Sequence, residues 1–266
     1  NTVATAYNTD QNGLRNHTYT AVITNITGNT VSFTPPIPSF GFSVANSARV
    51  FTMSVLSGGT RARYKGLGFD SLTFALNTNN ANCTAANQGR TIELTGFTDF
   101  YMQNCYFTDC SRFYLMTAAC ANFSVVSNFF GRQFGAAAVD VAYGLNLTAG
   151  SGFQIENNIF VGQYIPIILA NMSRTYMGYN FFYDILTQGG TGTQGAEINC
   201  NHGAYCYDNL IEGNLVGRVQ ADLAHGTSGN TTVHGNYITG TGLTVTQNRY
   251  AVSFDRGSWS NTVTGN

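Results

Sequence analysis

The chain has 266 residues, of which 43% are hydrophobic and 13% aromatic, enough to bury a sizeable core and to exclude global disorder. Only 9% are charged, against about 25% in an ordinary soluble domain; Lys65 is the only lysine and the net charge is −1. So neutral a surface offers a polyanion no counterions to release, which sets nucleic acid aside and favours neutral sugars, read by Tyr, Asn, Gln and hydroxyl groups.

From the N-terminus, TYTAVITNITGNTVSF (18–33) reads as two strands around a Thr27-Gly28-Asn29 turn, and TPPIP after it as an extended, irregular segment. Residues 1–60 are expected to form a β-rich cap over the open end of the core that follows. From ARYKGLGF (62–69) onward, short runs alternate with period two and sustain no 3.6-residue period, so they are strands. They come in pairs: TIELTG (91–96) with FYMQNCYF (100–107), FYLMTA (113–118) with SVVSNFF (124–130), and VDVAYG (139–144) with QIENNIF (154–160). IPIILA (165–170) with YMGYNFF (176–182), AEINCN (196–201) with LIEGNLV (210–216), ADLAHG (221–226) with TVHGNYI (232–238), and AVSFDR (251–256) with TVTGN (262–266) complete the series.

The second member of each pair has an asparagine in a fixed place: Asn104, Asn128, Asn158, Asn180, Asn214, Asn236 and Asn266, with Gly66 in that column of the degenerate first copy. Three residues earlier stand Tyr101, Val125, Ile155, Met177, Ile211, Val233 and Val263; two residues later stand Tyr106, Phe130, Phe160, Phe182, Val216 and Ile238. Asparagine is depleted in strands. Its recurrence marks a bend where amides stacked about 4.8 Å apart satisfy one another and the bent backbone. The steps between columns are 38, 24, 30, 22, 34, 22 and 30 residues, a fixed motif with variable insertions, as in a solenoid. Residues 61–266 thus read as one all-β solenoid of 22–38-residue rungs that stops within a rung.

This pattern resembles the right-handed parallel β-helix superfamily, the fold of pectate lyases, polygalacturonases and phage tailspikes, where asparagines stack at an inner bend. The resemblance covers residues 60–266 and rests on the pattern, not on an enzyme-specific motif. GNTVSFTPPIP (28–38) is similar to the entry segment of tailspike and polysaccharide-lyase relatives. The resemblance implies a right-handed parallel β-helix at an extracellular or virion surface that binds and depolymerises a polysaccharide and, as in tailspikes, forms a homotrimer. The rival from another class is a non-catalytic adhesin or a structural rod.

Six cysteines, Cys83, Cys105, Cys110, Cys120, Cys200 and Cys206, allow up to three disulfides. Seven Asn-X-Ser/Thr sequons, at Asn16, Asn25, Asn82, Asn122, Asn146, Asn171 and Asn230, permit an extracellular address. YIPIILA (164–170) falls far short of the roughly 20 residues of a membrane span. Residue 1 is Asn and no basic-then-apolar signal opens the chain, so it reads as a processed or excised piece.

Two constellations carry chemistry. With Val139 and Val141 pointing inward, Asp140 points out, and Glu93, Pro166, Glu197, Asp222 and Val252 share its column. Glu197 and Asp222 then fall on adjacent rungs about 4.8 Å apart, close enough to set an acid beside a base. Three residues on lie Cys200, His225 and Asp255, followed by Arg256. The expected site cleaves a glycoside, with Glu197, Asp222 and Asp255 catalytic and His225 and Arg256 binding; side-chain reach decides between retention at about 5 Å and inversion at about 6.5–9.5 Å. The same groups also read as a solvated surface. In the rival cleft, the outward place two before each Asn holds Met102, Val126, Glu156, Gly178, Glu212, His234 and Thr264. Glu212 and His234 are neighbours there, Glu156 lies about 9.6 Å from Glu212, and Gly178 leaves a gap for a sugar ring. A lyase would want a basic proton abstractor and acidic calcium ligands, and Lys65 lies outside both clusters, which favours a hydrolase. Cys200-Asn201-His202 with Cys206 matches no zinc spacing, and no phosphate loop, nucleophile elbow or dinucleotide fingerprint is present; neither metal nor cofactor is expected.

Overall fold

A computed structural model describes residues 2–9, 16–34, 36, 49–52, 55–57, 60–62, 64–75, 89–108, 113–133, 143–185, 198–199, 206–217, 219–220, 228–239, 251–254 and 260–266. Every regular element among them is a strand, and the strands of residues 64–266 stack in parallel on three faces. The first face holds Arg90–Thr95, Phe113–Ala118, the first halves of Tyr143–Glu156 and Ile165–Ser173, then Ile198–Asn199, Val219–Gln220 and Val252–Ser253. The second holds Tyr64–Lys65 with Gly68–Asp70, then Phe97–Gln103, Ala121–Val126, the end of Tyr143–Glu156, Tyr176–Gly178, Leu210–Glu212, Thr232–His234 and Thr262–Thr264. The third is a seven-stranded sheet from Thr73–Ala75 to Tyr237–Ile238. This is a solenoid-like parallel β fold.

Each face sends apolar columns into the core. On the third face the column is Phe74, Phe107, Phe130, Phe160 and Phe182, whose rings stack at 4.7–5.0 Å, the spacing of the strands that carry them. Each stacked pair contributes about 0.5–1.5 kcal/mol beyond its area burial. On the first face Ile92, Leu115, Leu145, Ile167, Ile198 and Val219 stack in register, all buried. Of the strand expected at 139–144, Tyr143 and Gly144 belong to a strand that runs on to Glu156, with Leu145 and Leu147 paired with Ile167 and Leu169; residues 139–142 lie outside the described residues.

IPIILA breaks the alternation, being buried on both sides. The outward Ile168 joins Phe113, Tyr143, Tyr164 and Ile165 in a second apolar cluster outside the core. Thr2–Thr9, Asn16–Thr27, Thr30–Thr34 and Arg49–Thr52 form a four-stranded antiparallel sheet, and its long strand Asn16–Thr27, with Ala21 buried, lies against Tyr143–Glu156 and Ile165–Ser173. A strand covered on both faces needs no polar side. The hairpin Asn16–Thr27 to Thr30–Thr34 turns at Gly28 (φ +56°), as expected; the segment is expected over the open end, whereas these contacts run along the flank.

The asparagine column is real but shifted by one residue at its start. Asn128, Asn158, Asn180, Asn214, Asn236 and Asn266 form an unbroken ladder. In the preceding rung Cys105, not Asn104, takes the ladder place: its backbone N–H donates to Asn128 Oδ1 at 3.0 Å. Met102 therefore points inward and is fully buried, where the alignment turns Tyr101 inward and Met102 out. Phe107, not Tyr106, enters the core. Asn104 instead has φ +54° and stands in a column of left-handed residues with Ser71, Ser127, Asn157, Tyr179, Gly213, Gly235 and Gly265. Gly66 belongs to a different left-handed column, with Asp99, Asn122, Gly152, Arg174, Asp208, Asn230 and Ser260. Asparagine tolerates positive φ better than most residues, so the residue that builds the ladder also suits the bend before it.

The described cysteines are free. Cys105, Cys120 and Cys206 are buried thiols, so none of the up to three disulfides that six cysteines allow is formed among the described residues. Burial pushes the Cys120 thiol up, and that of Cys206 up to about 12. Cys83, Cys110 and Cys200 lie outside the described residues.

Candidate functional site

The outward side chains of the second face form two columns. One runs Gly68, Tyr101, Ser124, Gln154, Tyr176, Leu210, Thr232 and Thr262; the other runs Asp70, Gln103, Val126, Glu156, Gly178, Glu212, His234 and Thr264. Glu156, Gly178, Glu212 and His234 thus occupy successive rungs of one column, as the sequence places them; only Met102 leaves it, replaced by Gln103. Gln154 Nε2 donates to Glu156 Oε2, and His234 Nδ1 shares a 2.9 Å hydrogen bond with Thr264 Oγ1.

Gly178 leaves no empty gap. A β-carbon there would fall on Tyr176, nearly equidistant from its Oη and Cζ and 2.8 Å from Cε1. Only a point above the ring plane meets those three conditions, so Tyr176 lies face-on across Gly178. A side chain at 178 would displace the ring, so the glycine is what lets the ring lie there. The phenol is thereby carried between Glu156 and Glu212, about 9.6 Å apart over two rung spacings. Burial raises the Tyr176 pKa first, and the negative fields of Glu156 and Glu212 add to it. Tyr176 consequently stays a protonated donor between two acceptors. At the end of the same column, Asp70 accepts from Gln103 Nε2 (2.9 Å), Ser71 Oγ (2.9 Å) and Asn104 Nδ2 (3.2 Å), and these bonds lower its pKa.

Glu197, Asp222, His225, Asp255 and Arg256 lie outside the described residues. Their described neighbours pair Ile198 with Val219 and Asn199 with Gln220, whereas adjacency of Glu197 and Asp222 calls for Ile198 opposite Leu223. Of the carboxylates in that expected column, Glu93 is described, ion-paired with Arg90 three residues earlier.

Among the described residues no group of three or more His, Cys, Asp or Glu is placed to hold a metal ion. None of their elements is a helix long and apolar enough to cross a membrane. No family model, curated protein or solved structure matches the chain. The site therefore has to be read from its own chemistry. What sequence reasoning missed is Tyr176; the available signal was a tyrosine two residues before a glycine, both on the outward side of one strand.

Proposed function

We propose that the protein binds a polysaccharide on the second face, at an extracellular or virion surface, on a right-handed parallel β-helix of the kind that resembles tailspikes and pectate lyases. The observation that carries this reading is the Tyr176 ring, laid flat over Gly178 between Glu156 and Glu212. A flat aromatic face packs against the C–H face of a sugar ring, and acceptors at its sides take the hydroxyl protons. A strongly cationic surface would instead have favoured an anionic partner, and the charged share of 9% argues against one.

Cleavage is the second reading. Glu156 and Glu212 are two carboxylates about two rungs apart, near the upper end of the spacing for inverting hydrolysis, about 6.5–9.5 Å, where one protonates the leaving oxygen and the other activates water. Glu197 and Asp222 are tested separately, because the Ile198–Val219 pairing is four residues from the register that would make them neighbours. A glycan array followed by a reducing-end assay on the bound glycans tests both readings. The expected results are retention that Tyr176→Ala abolishes, and release of reducing ends that Glu156→Gln and Glu212→Gln stop. Release stopped by Glu197→Gln or Asp222→Asn moves catalysis to the first face. Binding without release leaves a non-catalytic adhesin; no retention of any glycan overturns the proposal in favour of a structural rod.

A further inference from the structure

Tyr176 is not the only tyrosine laid on a glycine. A β-carbon at Gly68 would fall on Cε1, Cζ and Cδ1 of Tyr101 from the next rung, three consecutive ring atoms at similar distance, so this ring too lies face-on to the sheet. Tyr101 is 45% exposed, and its outer face is open to solvent. The third face provides a contrast. There Tyr106 and Phe129 stack on each other at 4.7 Å and 1°, covering their faces and turning ring edges outward. Flat rings with a free face occur on the second face, at Gly68 and Gly178, four rungs apart.

Between these two platforms the outward columns carry Ser124, Gln154, Gln103, Val126 and Glu156, of which only Glu156 is charged, and these side chains form the floor between the two rings. The charges along this track are the carboxylates of Asp70 and Glu156, with Glu212 beyond, and neither column contains Lys or Arg. Lys65, in the same face, is engaged by Asp99 at 3.4 Å. An acidic polymer would meet repulsion along the track, whereas an uncharged one meets donors, acceptors and two aromatic faces.

Resting on the glycan reading of the Tyr176 site, we infer that the second face takes a linear, uncharged polysaccharide lengthwise, parallel to the solenoid axis, with Tyr101 as a remote binding platform. Four rung spacings separate Gly68 from Gly178, about 19 Å. One rung is close to the length of one pyranose in an extended chain, so a ligand reaching both rings has about five sugars. Shorter oligomers reach one platform only.

The test uses the cello-, manno-, xylo-, laminari- and chito-oligosaccharide series, from disaccharide to hexasaccharide, by titration calorimetry on the full chain. In the series that binds, affinity is expected to rise up to about five units and then level off. Tyr101→Ala weakens hexasaccharide binding about tenfold, the worth of one ring contact, and leaves disaccharide binding unchanged. Tyr101→Phe binds as wild type. Gly68→Ala, which displaces the ring without removing it, repeats the tenfold loss. Raised salt leaves the hexasaccharide affinity unchanged. Affinity independent of length, or a hexasaccharide indifferent to both Tyr101→Ala and Gly68→Ala, overturns the lengthwise track while the Tyr176 site stands. Failure of every series, or binding indifferent to Tyr176→Ala, overturns both.

Discussion

Replacing Asn180 with alanine tests the ladder where water cannot substitute for it. Asn180 Oδ1 accepts from the backbone N–H and the Nδ2 of Asn158, both at 3.0 Å, while its Nδ2 donates to Ile155 O at 2.9 Å and to Asn214 Oδ1 at 3.0 Å. After truncation, Asn158 Nδ2 keeps Val125 O and Asn214 Oδ1 keeps the Asn180 N–H. The Asn158 N–H, fully buried, keeps nothing, and an orphaned buried donor costs about 1–3 kcal/mol. Adding the net worth of the three other lost bonds, about 1 kcal/mol each, gives a total of about 4–6 kcal/mol. Asn266 makes the same set of bonds to Asn236 and Val233, but its own side chain is exposed, so water replaces them and Asn266→Ala costs below about 1 kcal/mol. Urea unfolding followed by far-UV circular dichroism measures both. Equal losses at the two positions, or a loss at Asn180 no larger than that at Asn266, would refute the argument that ladder energy depends on exclusion of water.

Two further outcomes follow from the same columns. Cys105→Asn places an amide in the ladder position beside Asn128 Oδ1 and is expected to raise stability by about 1 kcal/mol in the same urea assay; a loss would show that the ladder cannot be extended towards the first rung. Cys206 binds its proton more tightly when folded (pKa about 12) than a free thiol does, so its contribution is complete below about pH 8.5 and declines as pH rises towards 12. Stability should therefore fall between about pH 9 and 11 by at most about 1.4 kcal/mol per pH unit from this group, and Cys206→Val should flatten the decline. An identical slope in the variant would remove Cys206 as its cause.

The parallel repeat was legible because two signals agreed: an inward apolar place three before the bend and asparagine at it. Where they separated, the register slipped. In FYMQNCYF both Tyr101 and Met102 can fill the inward place, and both Tyr106 and Phe107 the aromatic one, so the alignment followed Asn104. The chain follows a different constraint: a shift by one residue would turn Met102 and Phe107 out of the core together. On the first face, Val219, Ala221 and Leu223 alternate alike, and a pattern of period two is unchanged by a shift of four residues. The Ile198–Val219 pairing was therefore not readable from hydrophobicity. The Glu156–Gly178–Glu212–His234 column was readable, since alternation alone defines it. Tyr176 was not, because its position depends on a side chain lying along its own strand across Gly178, which no residue pattern encodes.

The ladder repeats at sequence separations of 22 to 34 residues, and each amide is bonded to the rung before and the rung after. Under tension applied to the ends of this solenoid, the hydrogen bonds between rungs are loaded one rung at a time, not all together. Each rung peeled from an end releases roughly 75–120 Å of extended chain, and the next rung then presents the same kind of amide contact. The mechanical signature is a sawtooth of near-equal force with unequal steps: the force repeats because the bend column repeats, while the extension varies with the chain between one bend and the next.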